Sequence, residues 1–455
     1  MVKNTPVRLS QCMIVKNEEE NINQALSWGK DAVYEQIVID TGSTDRTVQM
    51  AEAMGAKVYH FKWIDDFSAA KNFAISKASG DWIAFLDADE YFPACDVEKL
   101  MAFLDELDRT PYYVMLTSWM HVNDKNEIFA NGAQTRIFKR VAGLGYRNRI
   151  HEELALNGGD IVNYTVDATK ELTIYHTGYA PDASAEKQKG KRNARLILME
   201  LEDSPYNYDM MGYLGDSFYA EGENLDKAVE WYGKAISLMP SRIDEYDVRS
   251  AVTFWKLMSI LGMKKDEEAL MQLYERATRL IPKESDFDYI AGKFYTEKKD
   301  FRRGVYHLER ALNILEQHGN VNRGQLITGN LRGTWELLAM CHYQNGNLDN
   351  CVKCCISLLK TDRYIMSTLI MMMCAFKYEE ERGSMGKQNS ARAAVCLSSL
   401  YDMDKLKDRI FLLRAAMEAD YEELVKIVRG ACGSEELACF DRSMEQRSAG
   451  TVLRR

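Results

Sequence analysis

The stretch DWIAFLDADE, residues 81–90, decides the fold of the N-terminal half. Its apolar part, Trp82–Leu86, has no polar face, which is typical of a strand at the centre of a sheet covered on both sides. Asp87 and Asp89 follow at the carboxyl end, and side chains two residues apart point the same way if the strand persists. Two neighbouring carboxylates repel unless a proton or a cation intervenes. The pair therefore predicts a site for Mg²⁺ or Mn²⁺ carrying a diphosphate, with a solvated acidic turn as the alternative.

Three apolar runs upstream alternate with helical patterns and extend this strand into a sheet. They are Leu9–Val15, Ile37–Asp40 and Val58–Phe61. Strands and helices alternating at this spacing predict parallel pairing with right-handed crossovers. Ligands of such sheets bind at the carboxyl edge of the strands, where Asp40, Asp87 and Asp89 all fall. Ser43 or Thr44 is expected to cap the helix that follows Asp40.

The strand pattern changes downstream of Tyr112. Tyr113–His121, Thr135–Arg140 and Leu172–His176 look like strands separated by turns and loops, without long helices between them. This change predicts a mixed sheet that extends the parallel core and forms the acceptor side of a cleft.

Composition excludes several classes of protein. A chain of 455 residues with 46% hydrophobic and 28% charged residues is globular and long enough for two or more domains. Its net charge of −10 argues against a general affinity for nucleic acid or anionic membrane. Ten cysteines without a framework spacing indicate reduced thiols. No secretion signal is visible in Met1–Lys16, and Ile365–Phe376 is too short for a transmembrane segment, so we expect a cytoplasmic protein.

Four motifs occur in an informative order along the N-terminal half. They are Cys12–Glu19, Val38–Thr47, Asp65–Asn72 and Leu86–Glu90, the last containing an Asp-x-Asp motif. Together they resemble family 2 glycosyltransferases with the GT-A fold, over roughly the first 180 residues. The resemblance extends to bacterial members with a helical repeat region, which include enzymes that glycosylate peptides. It implies a Rossmann-like α/β domain with a mixed, mainly parallel sheet.

The resemblance assigns a nucleotide site to the first motifs. Asp40 is expected to contact the uracil or ribose of a nucleotide sugar, although a helix-capping turn residue is its alternative role. The segment Met13–Asn17, with Val15 and Asn17, would line the base pocket, and the adjoining Glu18 is expected to belong to the donor-binding residues. Lys71 would approach the nucleotide or phosphate where relatives often carry Arg; Lys supplies charge without the planar fork.

The same resemblance assigns a diphosphate and metal site to the opening stretch. Asp87, followed by Ala88, would support the ribose or bind the metal through water, and Asp89 would ligate Mg²⁺ or Mn²⁺. His176, within Ile174–Tyr179, would return to the cleft as a metal ligand or diphosphate contact. The alternative for His176 is a structural hydrogen-bonding group at a strand end.

An inverting transfer also needs a base for the acceptor proton. The candidates are Glu152, then Glu153 and His151, because this is the acidic and histidine-containing element at a suitable distance downstream. The Glu-Asp pair usual in the family is absent. The alternative is a charged loop in which Arg147 and Arg149 pair with the two glutamates.

The C-terminal half predicts an all-α region of tetratricopeptide-like repeats. Small and large residues recur near a period of about 34 residues. Four approximate copies begin near Tyr213, before Tyr274, at Ala291 and at Trp335. The predicted domains are a transferase domain at 1–185, a helical linker at 186–205, repeats at 206–430 and a tail at 431–455, partly disordered. Zinc at Cys341, Cys351, Cys354 and Cys355 is disfavoured, because these fall at helix-packing positions without a second matched pair.

These observations predict an inverting transferase that moves a hexose from a UDP-sugar to a hydroxyl or thiol, on a peptide or protein acceptor. The repeats offer a concave surface for such an acceptor, or for a homodimer. Two alternatives remain: an acceptor on a cell-surface glycan or lipid intermediate, and an inactive, repeat-based interaction protein.

Overall fold

A computed structural model describes residues 6–123, 127–177, 183–222, 225–243, 247–319, 323–381, 393 and 395–442. The chain divides into two compact units, Met1–Ser241 and Arg242–Arg455. The first contains the sheet and three long helices that follow it, and the second is helical. Within the described residues, no helix is both long enough and apolar enough to span a bilayer.

One large sheet forms the core of the first unit. Its strands are β1 Leu9–Val15, β2 Glu35–Asp40, β3 Lys57–His60, β4 Trp82–Phe85, β5 Glu90–Tyr91, β6 Val114–Val122, β7 Ile128–Lys139, β10 Thr165–Asp167 and β11 Thr173–His176. Their order is β3-β2-β1-β4-β7-β6-β11-β5, and β10 pairs with β6. Pairing is parallel from β3 to β4 and antiparallel where β7 enters. The prediction of a mixed, mainly parallel α/β sheet is confirmed.

The strand of the opening stretch lies between β1 and β7. All four residues of β4 are fully buried, and β1 is buried on nearly every position, as an apolar run without a polar face requires. A separate hairpin, β8 Leu144–Arg147 and β9 Glu153–Leu156, packs against the third helix of the unit. The loop between these two strands contains His151 and Glu152, and the third predicted base candidate, Glu153, begins β9.

Four helices follow strands β1, β2, β3 and β5 along the chain. They are α1 Ile22–Ser27, α2 Thr47–Ala53, α3 Phe67–Lys77 and α4 Ala94–Leu107. The carboxylate of Asp66 accepts a hydrogen bond from the Ala69 amide and caps the N-terminus of α3. The expected cap of α2 is wrong: that helix begins at Thr47, and Asp45 accepts from the Thr47 amide.

Three helices complete the first unit: α5 Ala183–Asp203, α6 Tyr208–Glu221 and α7 Leu225–Leu238. A Cβ atom at Gly215 of α6 would lie 2.5 Å from the ring of Tyr232 on α7. The two helices therefore approach through a small residue against a large one, as in tetratricopeptide-like pairs.

The second unit continues with helix pairs of the same kind. Its helices are α8 Val248–Met263, α9 Glu267–Leu280, α10 Asp286–Glu297, α11 Phe301–His318, α12 Gln325–Gly329, α13 Leu331–Gln344, α14 Leu348–Thr361, α15 Met366–Glu381, α16 Leu406–Glu418 and α17 Glu422–Gly430. Cys341, Cys351, Cys354 and Cys355 are buried in this unit. The last part of the predicted tail, 443–455, lies outside the described residues.

Candidate active site

The loops after β1 and β2 are joined by hydrogen bonds. Asn17, which has a φ of 58°, accepts from the Thr44 amide through Oδ1 at 2.8 Å, and its own amide donates to Ser43 Oγ at 2.9 Å. The Val15 carbonyl accepts from the Thr41 amide at 3.0 Å. The residues predicted to line a base pocket thus form one fixed wall at the carboxyl edge of the sheet.

Asp40 lies in this wall with its side chain almost fully buried. One carboxylate oxygen accepts from the Ser43 amide at 2.9 Å, and the other lies 3.1 Å from Nδ1 of His60. Burial favours the protonated acid, but the hydrogen bonds from Ser43 and His60 outweigh it and lower the pKa of Asp40. Asp40 is therefore an anion at neutral pH that already shapes the turn after β2.

Glu18 is close enough to the opening stretch to respond to its charges. Burial, with the charges of Asp89 and Asp87, raises the pKa of Glu18, although the side-chain amide of Asn21 donates to it at 2.8 Å. The first loop and the Asp-x-Asp motif consequently belong to one electrostatic site.

Lys71 on α3 lies between two carboxylates. Only 3% of its side chain is exposed, and its Nζ atom is 2.5 Å from Oε1 of Glu152 and 3.9 Å from Oδ1 of Asp87. The same Nζ lies over the rings of Phe85 and Tyr146, at 5.2 and 5.0 Å from their centroids. The ammonium group is thus held by aromatic faces beneath the site, between the strand edge and the predicted base.

Asp87 and Glu90 share a cation that the sequence did not reveal. Arg136 of β7 donates through Nη2 to Asp87 Oδ2 at 2.7 Å and to Glu90 Oε1 at 2.6 Å. Burial alone would raise the pKa of Asp87, but Arg136 and Lys71 lower it to about 2. For Glu90, burial prevails with the help of the Asp87 charge, and its pKa is raised.

Asp89 and His176 lie side by side. Nε2 of His176 is 3.1 Å from Oδ2 of Asp89, and Nδ1 of His176 is 2.9 Å from Nδ1 of His121 on β6. Burial lowers the pKa of His176, but the hydrogen bond and charge of Asp89 raise it overall. The return of His176 to the Asp-x-Asp motif follows from the antiparallel pairing of β11 with β5.

Asp89 and His176 could supply part of the ligand set of a divalent cation. Within the part of the chain that the structure describes, no group of three or more His, Cys, Asp or Glu side chains could hold a metal ion. Asp89 and His176 offer one oxygen and one nitrogen, so a cation here would need further ligands from a diphosphate and water. That is the usual situation for Mg²⁺ in phosphate-transfer and related sites.

The three base candidates are placed differently. Glu152 contacts Lys71, whereas Glu153 pairs with Arg147 at 3.0 Å and is half-exposed. His151 has a φ of 51° and stacks on Tyr213 of α6, with ring centroids 3.6 Å apart. A cleft of about 420 Å³ is lined by all three candidates together with Arg136, Tyr146 and Tyr213. The alternative of a charged loop is confirmed for one of its two ion pairs, Arg147 with Glu153. The other is wrong, since Arg149 pairs with Asp203.

Sequence reasoning missed Arg136, Glu90 and His121. Arg136 was inside a predicted strand, where a charged residue indicates a solvent-facing position. No nearby residue identifies the partners of Arg136, because Asp87 and Glu90 lie 49 and 46 residues away in the sequence. The pairing of β7 with β4 brings them close.

Comparisons with known proteins show what this chain is similar to in sequence. A sequence model described as glycosyl transferase family 2 matches residues 10–160. A TPR repeat-containing protein of Synechococcus elongatus is 33% identical over 228 residues, covering 49% of this chain and 55% of that protein. The SPbeta prophage-derived glycosyltransferase SunS of Bacillus subtilis is 27% identical over 276 residues, covering 58% of this chain and 60% of SunS. The matched parts thus span between half and two thirds of the length of these relatives.

One of the solved structures that this chain resembles comes from Staphylococcus aureus. The crystal structure of S. aureus TarS 1–349 in complex with UDP-GlcNAc is 15% identical and covers 65% of this chain and 92% of that chain, with a TM-score of 0.36.

The sheet, the charged strand edge and the match over residues 10–160 define a glycosyltransferase domain. That domain is similar to family 2 of the glycosyltransferases, and the chain continues beyond it into tetratricopeptide-like helices.

Proposed function

We propose that this chain is a cytoplasmic, inverting glycosyltransferase that moves a hexose from a UDP-sugar to a hydroxyl or thiol on a peptide or protein. The observation that carries the proposal is the position of Lys71, which contacts Glu152 and lies 3.9 Å from Asp87. One buried cation thus links the strand edge, where a nucleotide sugar would bind, to the cleft, where an acceptor would enter.

The donor would lie along the carboxyl edge of β1, β2 and β4. Val15, Asn17 and Glu18 form the wall for the base, and Asp40 is an anion able to accept from uracil or ribose. Lys71 and Arg136 supply positive charge beside Asp87 and Ala88, where the diphosphate would pass. Cationic groups at this place offset the negative charge that the four non-bridging oxygens of a diphosphate would bring into a partly buried site.

Asp89 and His176 are the residues that would hold a divalent cation. Bound Mg²⁺ or Mn²⁺ supplies positive charge to the leaving nucleoside diphosphate, which is the main electrostatic demand of sugar transfer. The two side chains come from β11 and from the turn after β4, and both are partly buried. His121 behind His176 fixes the ring that would point Nε2 at the cation.

The transfer itself is a single displacement. The acceptor oxygen or sulfur attacks the anomeric carbon from the face opposite the diphosphate, and the bond from that carbon to the diphosphate oxygen breaks with its electron pair. The proton of the acceptor passes to the carboxylate of Glu152, which lies at the cleft. One bond forms, one bond breaks, and the configuration at the anomeric carbon is inverted.

The helical repeats support a macromolecular acceptor. Pairs such as α6–α7 and α10–α11 pack as tetratricopeptide-like units, which present extended surfaces to peptides. The same surface could instead join two copies of the chain. Mass spectrometry of candidate peptides incubated with the enzyme and a UDP-sugar would separate these uses.

The test of the transferase proposal is calorimetry with a panel of nucleotides and UDP-sugars, with and without MnCl₂. We expect UDP ligands to bind more tightly with Mn²⁺, and Asp89→Ala to abolish that increase. Asp31→Ala, at an exposed position of the same domain, is the matched control. Absence of UDP binding, or an Asp89→Ala variant with unchanged metal-dependent binding and turnover, would refute the proposal.

A further inference from the structure

The loop that carries Glu152, residues 147–153, has an unusual backbone. Asn148 and His151 both have positive φ angles, 71° and 51°, although neither is glycine. This conformation is unfavourable for a residue with a Cβ atom and persists where the surroundings hold it. We call residues 147–153 the base loop. Because two of its residues have this unfavourable backbone, the conformation of the base loop depends on contacts with residues outside it.

Helix α3 holds the base loop on one side. The amide of Phe67 donates to the Arg149 carbonyl at 2.8 Å, and Ser68 Oγ donates to the Asn148 carbonyl at 2.5 Å. The same helix carries Lys71, the partner of Glu152. One face of the loop is thus fixed to the transferase domain itself.

Helices α5 and α6 hold the opposite side. Glu200 of α5 accepts from the Arg149 amide at 2.7 Å, and Ile150 is buried in an apolar cluster with Leu196, Leu214 and their neighbours. Tyr213 of α6 stacks on the His151 ring at 3.6 Å, with the ring planes within 7° of parallel. The base loop is therefore held between the sheet domain and the first helices of the repeat region.

We propose that α5 and α6 belong to the catalytic apparatus, and that Tyr213 is a positioning residue for Glu152. The stack keeps His151 in its left-handed conformation, and the next residue, Glu152, is thereby directed towards Lys71 at the cleft. Loss of the flat ring at 213 removes a contact that offsets the backbone cost at 151. The loop then relaxes, and the carboxylate of Glu152 leaves its place.

This inference rests on the proposed function, since it needs Glu152 to act on an acceptor proton. It assigns no contact between Tyr213 and the donor. Removal of Tyr213 should consequently lower the rate of the chemical step and leave donor binding intact.

The experiment uses the full chain and needs no knowledge of the acceptor. Release of UDP is measured with water as acceptor, from the best of UDP-glucose, UDP-galactose and UDP-GlcNAc, in MnCl₂. Tyr213→Ala is compared with Tyr213→Leu, which fills space without a flat face, and with Tyr213→Phe, which restores the ring. Tyr206→Ala is the control, since Tyr206 precedes α6 and is 78% exposed.

We expect Tyr213→Ala and Tyr213→Leu to lower kcat about tenfold because the base is misplaced, with the KM of the UDP-sugar and the affinity for UDP within about twofold of wild type. Tyr213→Phe should recover most of the rate, and Tyr206→Ala should match wild type. A leucine variant as active as wild type, or a loss that appears in KM alone, would overturn the inference while leaving the proposed function in place. No UDP release from wild type and Tyr206→Ala alike would refute the proposed function and the inference with it.

Discussion

Lys71 and Glu152 form an ion pair of 2.5 Å between a helix of the sheet domain and the base loop. The lysine is almost completely buried, whereas 17% of the glutamate side chain reaches solvent. An ion pair that is open on its carboxylate side can exchange partners, because a second anion beside Asp87 would compete for the ammonium group. A diphosphate bound there would draw Lys71 towards the donor and leave Glu152 available to an acceptor proton.

The first prediction concerns Glu152 as the base. Glu152→Gln keeps an oxygen for Lys71 but cannot take a proton, so we expect turnover to fall about 10²- to 10⁴-fold. UDP affinity, measured by calorimetry, should remain within about twofold of wild type. Glu153→Gln is the comparison, because Glu153 pairs with Arg147 and is half-exposed. Normal transfer by Glu152→Gln together with a loss in Glu153→Gln would move the base to the neighbouring residue.

The second prediction concerns Lys71 and the donor. Lys71→Met removes the cation next to Asp87, and we expect UDP affinity to fall about tenfold, the effect of losing one charge-assisted hydrogen bond. Lys71→Arg should retain much of the affinity. Lys77→Met is the control on the same helix, since Lys77 packs over Phe73 and Tyr59, which are not residues of the proposed site. Equal UDP affinity in Lys71→Met and Lys77→Met would contradict a role in donor binding.

Much of the fold could be predicted because its signals are local. The apolar run Trp82–Leu86 and the motif after it decided the sheet, and the structure buries that strand between β1 and β7. The tetratricopeptide-like pattern likewise depends on neighbouring helices, such as Gly215 against Tyr232. Both signals come from residues that pack with close neighbours in the chain or with strands of a standard order.

The parts of the site that could not be predicted depend on distant pairing. Arg136 reaches Asp87 because β7 enters antiparallel beside β4, and no local pattern announces that register. The left-handed conformation of His151 is equally hidden, since the ring that stacks on it belongs to Tyr213, 62 positions further along the chain. Charge in a strand or loop does not by itself tell which partner tertiary structure will supply.

The third prediction concerns His121, which lies behind the proposed metal ligand His176. Its Nδ1 atom lies 2.9 Å from Nδ1 of His176, so one ring donates and the other accepts. His121→Phe removes this partner, and we expect the affinity of the enzyme–UDP complex for Mn²⁺ to fall about tenfold. His121→Gln, which keeps a donor and an acceptor, should lose less. Titration of Mn²⁺ by calorimetry measures both, and equal affinities in wild type and His121→Phe would show that His176 needs no such support.

The fourth prediction tests the packing of the first repeat pair. Gly215→Ala places a Cβ atom 2.5 Å from the ring of Tyr232, which is fully buried and donates to Asp216 at 2.7 Å. The ring cannot move aside without breaking that hydrogen bond, so the free energy of unfolding should fall by about 1–3 kcal/mol. Gly233→Ala is the matched control on α7, where a Cβ meets no atom within 4 Å. Gly233→Ala should be more stable than wild type by up to about 1 kcal/mol. Urea titrations measure the free energy of unfolding of both variants and of wild type.

The fifth prediction concerns a buried glutamate of the second unit. Burial, with the charge of Asp286, raises the pKa of Glu284 to about 7, and its Oε1 accepts from the amides of Asp286 and Gly324. The folded state therefore binds a proton more tightly than the unfolded state, and the stability of this unit should decline as pH rises from about 4.3 to 7 and then level off. Glu284→Gln keeps the accepting oxygen without the titration, so relative to wild type it should gain about 3 kcal/mol between pH 5 and pH 8. Urea unfolding at both pH values measures the gain, with exposed Glu297→Gln as control; a difference between variant and wild type that does not change with pH would show that Glu284 does not titrate in this range.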